Sequence, residues 1–195
     1  ESPYTSVLLF HGVGVGKTCS AITIAESFRD VFSRKERGTI ILSSKNIQIG
    51  WKKTIFNPLL KEEQCSGKVF LHRNVKTKRE LNRLVKEYYE LMAYQSFGNF
   101  VKRMILKSEI KYPDLTKEDL ERKVISDYFS GRLFIIDEAH NIRDETETEQ
   151  DMKNSVEMKN SVKMIEKVLK YSNDMRLVLL TATPMYNTAV EIVWL

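Results

Sequence analysis

Short, uninterrupted apolar runs recur along the chain, and longer amphipathic stretches separate them. Val7-Leu8-Leu9-Phe10, Thr39-Ile40-Ile41-Leu42, Leu133-Phe134-Ile135-Ile136 and Leu177-Val178-Leu179-Leu180 show no alternation of apolar and polar positions. A strand that is apolar on both faces is expected to be covered on both faces, as in a parallel sheet between two layers of helices. Strands are therefore expected over 6–10, 39–43, 131–137 and 176–180. The intervening stretches read as helices. One runs from Lys17 to about Phe32, with Ala21, Ile24, Ala25 and Phe28 on one face, and the polar run from Ser33 to Gly38 ends it. A second carries Trp51 and Ile55 and is broken near Asn57 by Pro58. A third spans 76–86 with Leu81, Leu84 and Val85 inward. Two more cover 97–107 and 116–129, the latter opened by Thr116 with Asp119 three residues on, a capping signature. A long helix running to Tyr171 contains Met152-Lys153-Asn154-Ser155-Val156, repeated as Met158-Lys159-Asn160-Ser161-Val162. Residues 69–72 are compatible with a short strand, 88–94 fit strand or helix, and 187–195 begin a last helix.

Strands alternating with helices make the fold class α/β, with a mostly parallel sheet and helices on both faces. A length of 195 residues suits one domain with a substantial core. No apolar run is long enough to span a membrane and no basic-then-apolar leader is present, so a soluble intracellular protein with no membrane partner is expected. Glu1-Ser2-Pro3-Tyr4 carries no starting methionine, so the chain is expected to be a piece of something longer. Cys19 and Cys65 make a poor disulfide framework, and Cys19 is read as a buried, inert thiol. The net charge of +5 is unevenly spread. Lys68, Arg73, Lys76, Lys78, Arg79, Arg83 and Lys86 crowd one region, and Asp144, Glu145, Glu147, Glu149 and Asp151 another. The basic block would attract a phosphate backbone, or it is the solvated face of a helix.

The chemistry concentrates where strands end. His11-Gly12-Val13-Gly14-Val15-Gly16-Lys17-Thr18 follows the first apolar run and leads into a helix. A phosphate chain needs backbone N–H groups pointing inward at a helix N-terminus, and Gly14 and Gly16 let the loop curl that closely. Lys17 is placed to reach the outer phosphates and Thr18 to offer a hydroxyl to Mg²⁺, which makes 11–18 a P-loop that binds nucleotide. A later strand ends in Asp137-Glu138-Ala139-His140, delivering two carboxylates to the carboxyl edge of the sheet. Asp137 is expected to hold Mg²⁺ and Glu138 to orient and deprotonate the attacking water. Thr181-Ala182-Thr183-Pro184 ends the next strand with two hydroxyls and a proline that stops continuation, which fits a loop that senses the nucleotide.

His11 stands where the strict P-loop pattern has glycine. In that respect the loop resembles motif I of superfamily 2 helicases and their Swi2/Snf2 relatives. Ser43-Ser44-Lys45, ahead of the Trp51 helix, resembles the motif Ia turn, Asp137 to His140 motif II, and Thr181 to Pro184 motif III. Ala93-Tyr94-Gln95-Ser96-Phe97 resembles a strand end followed by a helix, with alanine in place of the family's threonine, and this selects strand for 88–94. The phrasing of these motifs is similar to the Snf2-like helicases of nucleocytoplasmic large DNA viruses, the group containing nucleoside triphosphatase I and the small subunit of the early transcription factor.

The resemblance implies a RecA-like domain over residues 1–195 and a second RecA-like domain elsewhere in the parent protein. It implies ATP hydrolysis with Mg²⁺ coupled to movement on DNA, or RNA. His140, Thr181 and Thr183 would couple the site to nucleic acid, and Ser43, Ser44 and Lys45 would contact its backbone. A viral RNA polymerase or transcription factor as partner, and the host cytoplasm or virion as location, follow from the viral branch. The other classes are a P-loop motor that does not act on nucleic acid and a non-catalytic scaffold in a transcription complex.

Overall fold

The computed structural model describes residues 4–10, 12, 14–29, 38–60, 63–67, 70, 75–142 and 152–182. The elements, in chain order, are β1 (Ser6–Phe10), α1 (Lys17–Ser27), β2 (Thr39–Leu42), α2 (Gln48–Ile55), α3 (Lys78–Tyr88), β3 (Tyr89–Met92), α4 (Tyr94–Glu109), α5 (Lys117–Phe129), β4 (Leu133–Asp137), α6 (Met152–Tyr171) and β5 (Arg176–Thr181). Short 3₁₀ turns cover Pro58–Leu60 and Ala139–Ile142. The strands form a five-stranded sheet in the order β1-β5-β4-β2-β3, and each pairing is parallel. This is the doubly wound α/β arrangement that the resemblance implied.

Alternation along the central strands sorts the core into two layers. Ile40, Leu42, Phe134, Ile136 and Leu179 face α4, α5 and α6. Ile41, Leu133, Ile135, Val178 and Leu180 face α1, α2 and α3. Successive side chains on a strand point to opposite faces, so a continuously apolar strand is what two helical layers require. The first layer is built around Phe97, Phe129 and Phe134, whose ring centroids lie 5.5–6.1 Å apart. At the amino ends of the strands the fully buried Arg132 donates to the Gly38 carbonyl and pairs with the Glu90 carboxylate. That contact ties the start of β4 to the starts of β2 and β3.

Several sequence expectations shift. β1 is an edge strand, and Val7 and Phe10 remain 42% and 59% exposed rather than covered. α1 ends at Ser27, where the N–H of Phe28 bonds back to the carbonyls of Ala25 and Glu26. α4 begins at Tyr94, because Ala93 is extended and already serves as its N-cap. The 88–94 stretch is a strand over Tyr89–Met92. The short strand considered at 69–72, the acidic segment from residue 143 and the helix from 187 fall wholly or mostly outside the described residues. No helix among the described residues is long and apolar enough to cross a membrane.

The cysteines correct the sequence reading outright. Cys19 is not a free thiol but is joined to Cys65, with Cα atoms 5.1 Å apart. The cause is tertiary. The segment after α2 returns across α1, where the Thr23 hydroxyl donates to the Cys65 carbonyl at 3.2 Å and the Ser66 hydroxyl donates to the Ile55 carbonyl at 2.7 Å.

Two stability predictions follow from this architecture. α4 crosses α6 at Gly98, where an added Cβ would lie 2.8 Å from the Ser161 Cα. Gly98→Val is expected to cost about 1–3 kcal/mol as overpacking, read as a lower urea midpoint with an unchanged slope. An unmoved midpoint would mean that the helices separate there without penalty. Separately, opening the 46-residue-separated disulfide with dithiothreitol is expected to lower stability by roughly 2–4 kcal/mol. Cys65→Ser should abolish that response, and a reductant effect that persists in the variant would contradict the pairing.

Candidate functional site

Parallel pairing brings four strand carboxyl ends to one edge. Reading across the sheet, these are the glycine loop after β1, Thr181 at the end of β5, Asp137 and Glu138 at the end of β4, and Ser43 to Lys45 after β2. The register sets their levels. Phe10 lies opposite Thr181, Leu180 opposite Asp137, and Ile136 opposite Leu42.

The loop has the backbone its glycines were expected to allow. Gly14 and Gly16 have φ of 81° and 89°, and Gly16 is the left-handed N-cap of α1, accepting the first helical bond from the Ser20 N–H. A side chain in that conformation would cost roughly 1–2 kcal/mol per residue. Gly12, Gly14, Val15 and Gly16 are exposed, and Lys17 and Thr18 are half-buried in the first turn of α1. His11, Val13 and Thr183 lie outside the described residues.

From Lys17 a line of contacts crosses the edge. The Lys17 Nζ is 3.8 Å from Glu138 Oε1, and Glu138 Oε2 is 3.4 Å from His140 Nδ1. His140 Nδ1 is in turn 3.0 Å from the Thr181 Oγ1. The sequence placed these residues in three separate motifs, and the fold joins them through adjacent side chains. Glu138 has a φ of 54°, a left-handed value that costs a non-glycine residue about 1–3 kcal/mol and is typical of functional positions.

Asp137 is held more tightly than the sequence indicated. It is 6% exposed, and burial pushes its carboxyl above the usual carboxylate range. The Trp51 indole opposes that rise by donating from Nε1 to Asp137 Oδ2 at 2.8 Å, the adjacent Glu138 charge adds to it, and Lys17 opposes it. The Tyr94 hydroxyl donates to the Asp137 backbone carbonyl, and burial raises that phenol above its ordinary value. Sequence reading alone assigns neither Trp51 nor Tyr94 a role at the site. The signal available was that a buried tryptophan or tyrosine needs a partner for its polar atom.

The motif Ia turn divides. Ser43 is fully buried, its N–H bonds the Met92 carbonyl, and its Oγ has no partner among the described residues. It is therefore withdrawn from the surface, because the β2 pairing to β3 continues through it. Ser44 and Lys45 are exposed. Among the described residues no group of three or more His, Cys, Asp or Glu side chains could enclose a metal. The oxygen donors near the loop, the Thr18 hydroxyl and the Asp137 carboxylate, suit a hard cation that keeps water and phosphate as its other ligands.

The chain is 29% identical, over 99% of its length and 17% of the relative's, to an Acanthamoeba polyphaga mimivirus protein carrying the provisional name ATP-dependent RNA helicase. A second mimivirus protein with the same provisional name is 27% identical over 98% of the chain and 29% of its own length. A protein of invertebrate iridescent virus 3, provisionally named a helicase, is 26% identical over 97% of the chain and 18% of its own. The chain thus spans less than a third of the length of these relatives. Residues 3–186 match the family described as type III restriction enzyme, res subunit, and the chain belongs to that family of superfamily 2 RecA-like helicase domains.

Proposed function

We propose that this chain is the ATP-binding domain of a nucleic-acid-dependent ATPase, which converts ATP and water to ADP and phosphate and couples the reaction to movement on DNA. RNA is the alternative track, favoured by the names of the two mimivirus relatives. The observation that supports the reading most directly is the contact line from Lys17 through Glu138 and His140 to Thr181. A residue suited to phosphate, one suited to water and two suited to signalling are thereby continuous.

In this reading the amides of residues 12–16 and the Lys17 ammonium bind the phosphates and stabilise charge on the transferring group. Glu138 orients the attacking water and takes its proton. Thr18 and Asp137 would hold Mg²⁺, which when bound neutralises phosphate charge. His140 and Thr181 move when Glu138 moves, so they relay the state of the nucleotide toward the strand ends that face nucleic acid. Ser44 and Lys45 are the exposed positions that would touch a phosphate backbone. A second RecA-like domain in the whole protein would complete the nucleotide and nucleic-acid clefts. The viral relatives support a role in viral transcription beside an RNA polymerase or transcription factor, in the host cytoplasm or virion.

The test is ATP hydrolysis by the whole protein, with and without single- and double-stranded DNA and RNA. Nucleic acid is expected to stimulate turnover. Lys17→Ala is expected to lower kcat roughly 10²–10³-fold, as for loss of one transition-state donor. Glu138→Gln is expected to lower it about 10²–10⁴-fold while nucleotide still binds. Hydrolysis that needs Lys17 but ignores nucleic acid would keep the P-loop chemistry and discard the translocase. No hydrolysis with any of these additions would leave only a scaffold.

A further inference from the structure

Among the described residues, Trp51 is the largest side chain that is almost completely buried, at 1% exposed, and it is also the donor to the acid at the end of β4. The residue comes from a different part of the chain, 86 positions away, on the helix that follows β2. An indole nitrogen only donates, and a carboxylate only accepts when ionised. The pairing at 2.8 Å therefore favours ionised Asp137 and occupies one of its two oxygens. The indole commits Oδ2 to the protein, and the Glu138 backbone N–H is a second donor to the same carboxylate.

Free rotation of the carboxylate about its last side-chain bond would exchange the two oxygens, and among the described residues the indole and the Glu138 backbone N–H are the donors that oppose it. The neighbouring Ser43 hydroxyl is buried with no hydrogen-bond partner among the described residues, and Tyr94 holds the backbone carbonyl rather than the side chain. Among side chains, the orientation of the carboxylate then depends on the indole N–H, the larger of the two hydrogen-bond contributions. The ring cannot turn to release it, because Ile41, Ile55, Ile135 and the rest of the α1–α3 layer enclose it.

We propose that Trp51 is a positioning residue for the Mg²⁺-binding carboxylate, fixing Asp137 so that one oxygen is always presented to the metal. The inference rests on the proposed role of Asp137 in metal binding. The indole also sits on α2, which begins directly after the exposed Ser44 and Lys45 turn. The carboxylate orientation is therefore mechanically attached to the element that would feel a nucleic-acid backbone.

The test measures how much Mg²⁺ strengthens binding of a fluorescent ADP analogue to the whole protein, by comparing affinities in EDTA and in Mg²⁺. Trp51→Phe keeps an aromatic ring and removes the donor. Replacement of Trp51 by β-(3-benzothienyl)alanine keeps the bicyclic shape and removes only the N–H, which covers the case in which Trp51→Phe fails to fold. Both variants are expected to bind the analogue in EDTA as the wild type does. Their gain from Mg²⁺ should fall roughly 10–100-fold, as when a residue orienting a metal ligand is lost. The Mg²⁺ concentration for half-maximal hydrolysis should rise in step, with kcat largely restored at saturating Mg²⁺. An undiminished Mg²⁺ gain in the benzothienyl variant would overturn the proposal. A wild type with no Mg²⁺ gain at all would instead overturn the metal-binding role of Asp137.

Discussion

A parallel strand bonds along both edges and buries both faces, so its polar residues collect where it ends. Here that constraint acts on β5, β4 and β2 together, and their registers bring Thr181, Asp137 and Ser43 to similar levels beside the loop that follows β1. The opposite ends of β2, β3 and β4 are pinned by the buried Arg132, which satisfies the Gly38 carbonyl and the Glu90 carboxylate.

The two acids after β4 have divided environments. Asp137 continues the Leu133 and Ile135 side of its strand into the α1–α3 layer, where burial disfavours its charge and the Trp51 N–H compensates. Glu138 turns outward with a left-handed backbone and meets Lys17 and His140 instead. The Tyr94 hydroxyl grips the peptide carbonyl between them. Neighbouring carboxylates with separate partners can do separate work, one fixed and one able to exchange contacts.

Much of this was legible in the sequence. Unalternating apolar runs announced buried parallel strands, and glycine positions announced the loop, because both follow from local constraints. What stayed hidden was set by tertiary proximity. Nothing in the spacing of Cys19 and Cys65 indicates that the chain folds back across α1. Trp51 looks the same in sequence whether its nitrogen meets a carboxylate or a backbone carbonyl. Ser43 already ends the strand expected over 39–43, and only the resemblance to a motif Ia turn grouped it with Ser44 and Lys45 as a surface contact; the pairing of β2 with β3 keeps it inside. The exposure of β1 was missed for the same reason. An edge strand and a central strand share one apolar pattern, and only the strand order of the sheet tells them apart.

These hidden contacts converge on α2. Its Trp51 holds Asp137, and its last residue, Ile55, accepts a bond from Ser66, next to Cys65. Cys65 is covalently joined to Cys19, which directly follows Thr18. The two oxygen donors suited to a metal follow or end strands that β5 separates: Thr18 lies in the first turn of α1, after the edge strand β1, and Asp137 ends the central β4. The route through Trp51, α2, Ser66 and the disulfide bypasses the strands and connects Thr18 to Asp137 through one helix. α2 also follows the exposed Ser44 and Lys45 turn. Where two sites of a protein are coupled, an element packed against both and having two discrete arrangements is one physical carrier of that coupling.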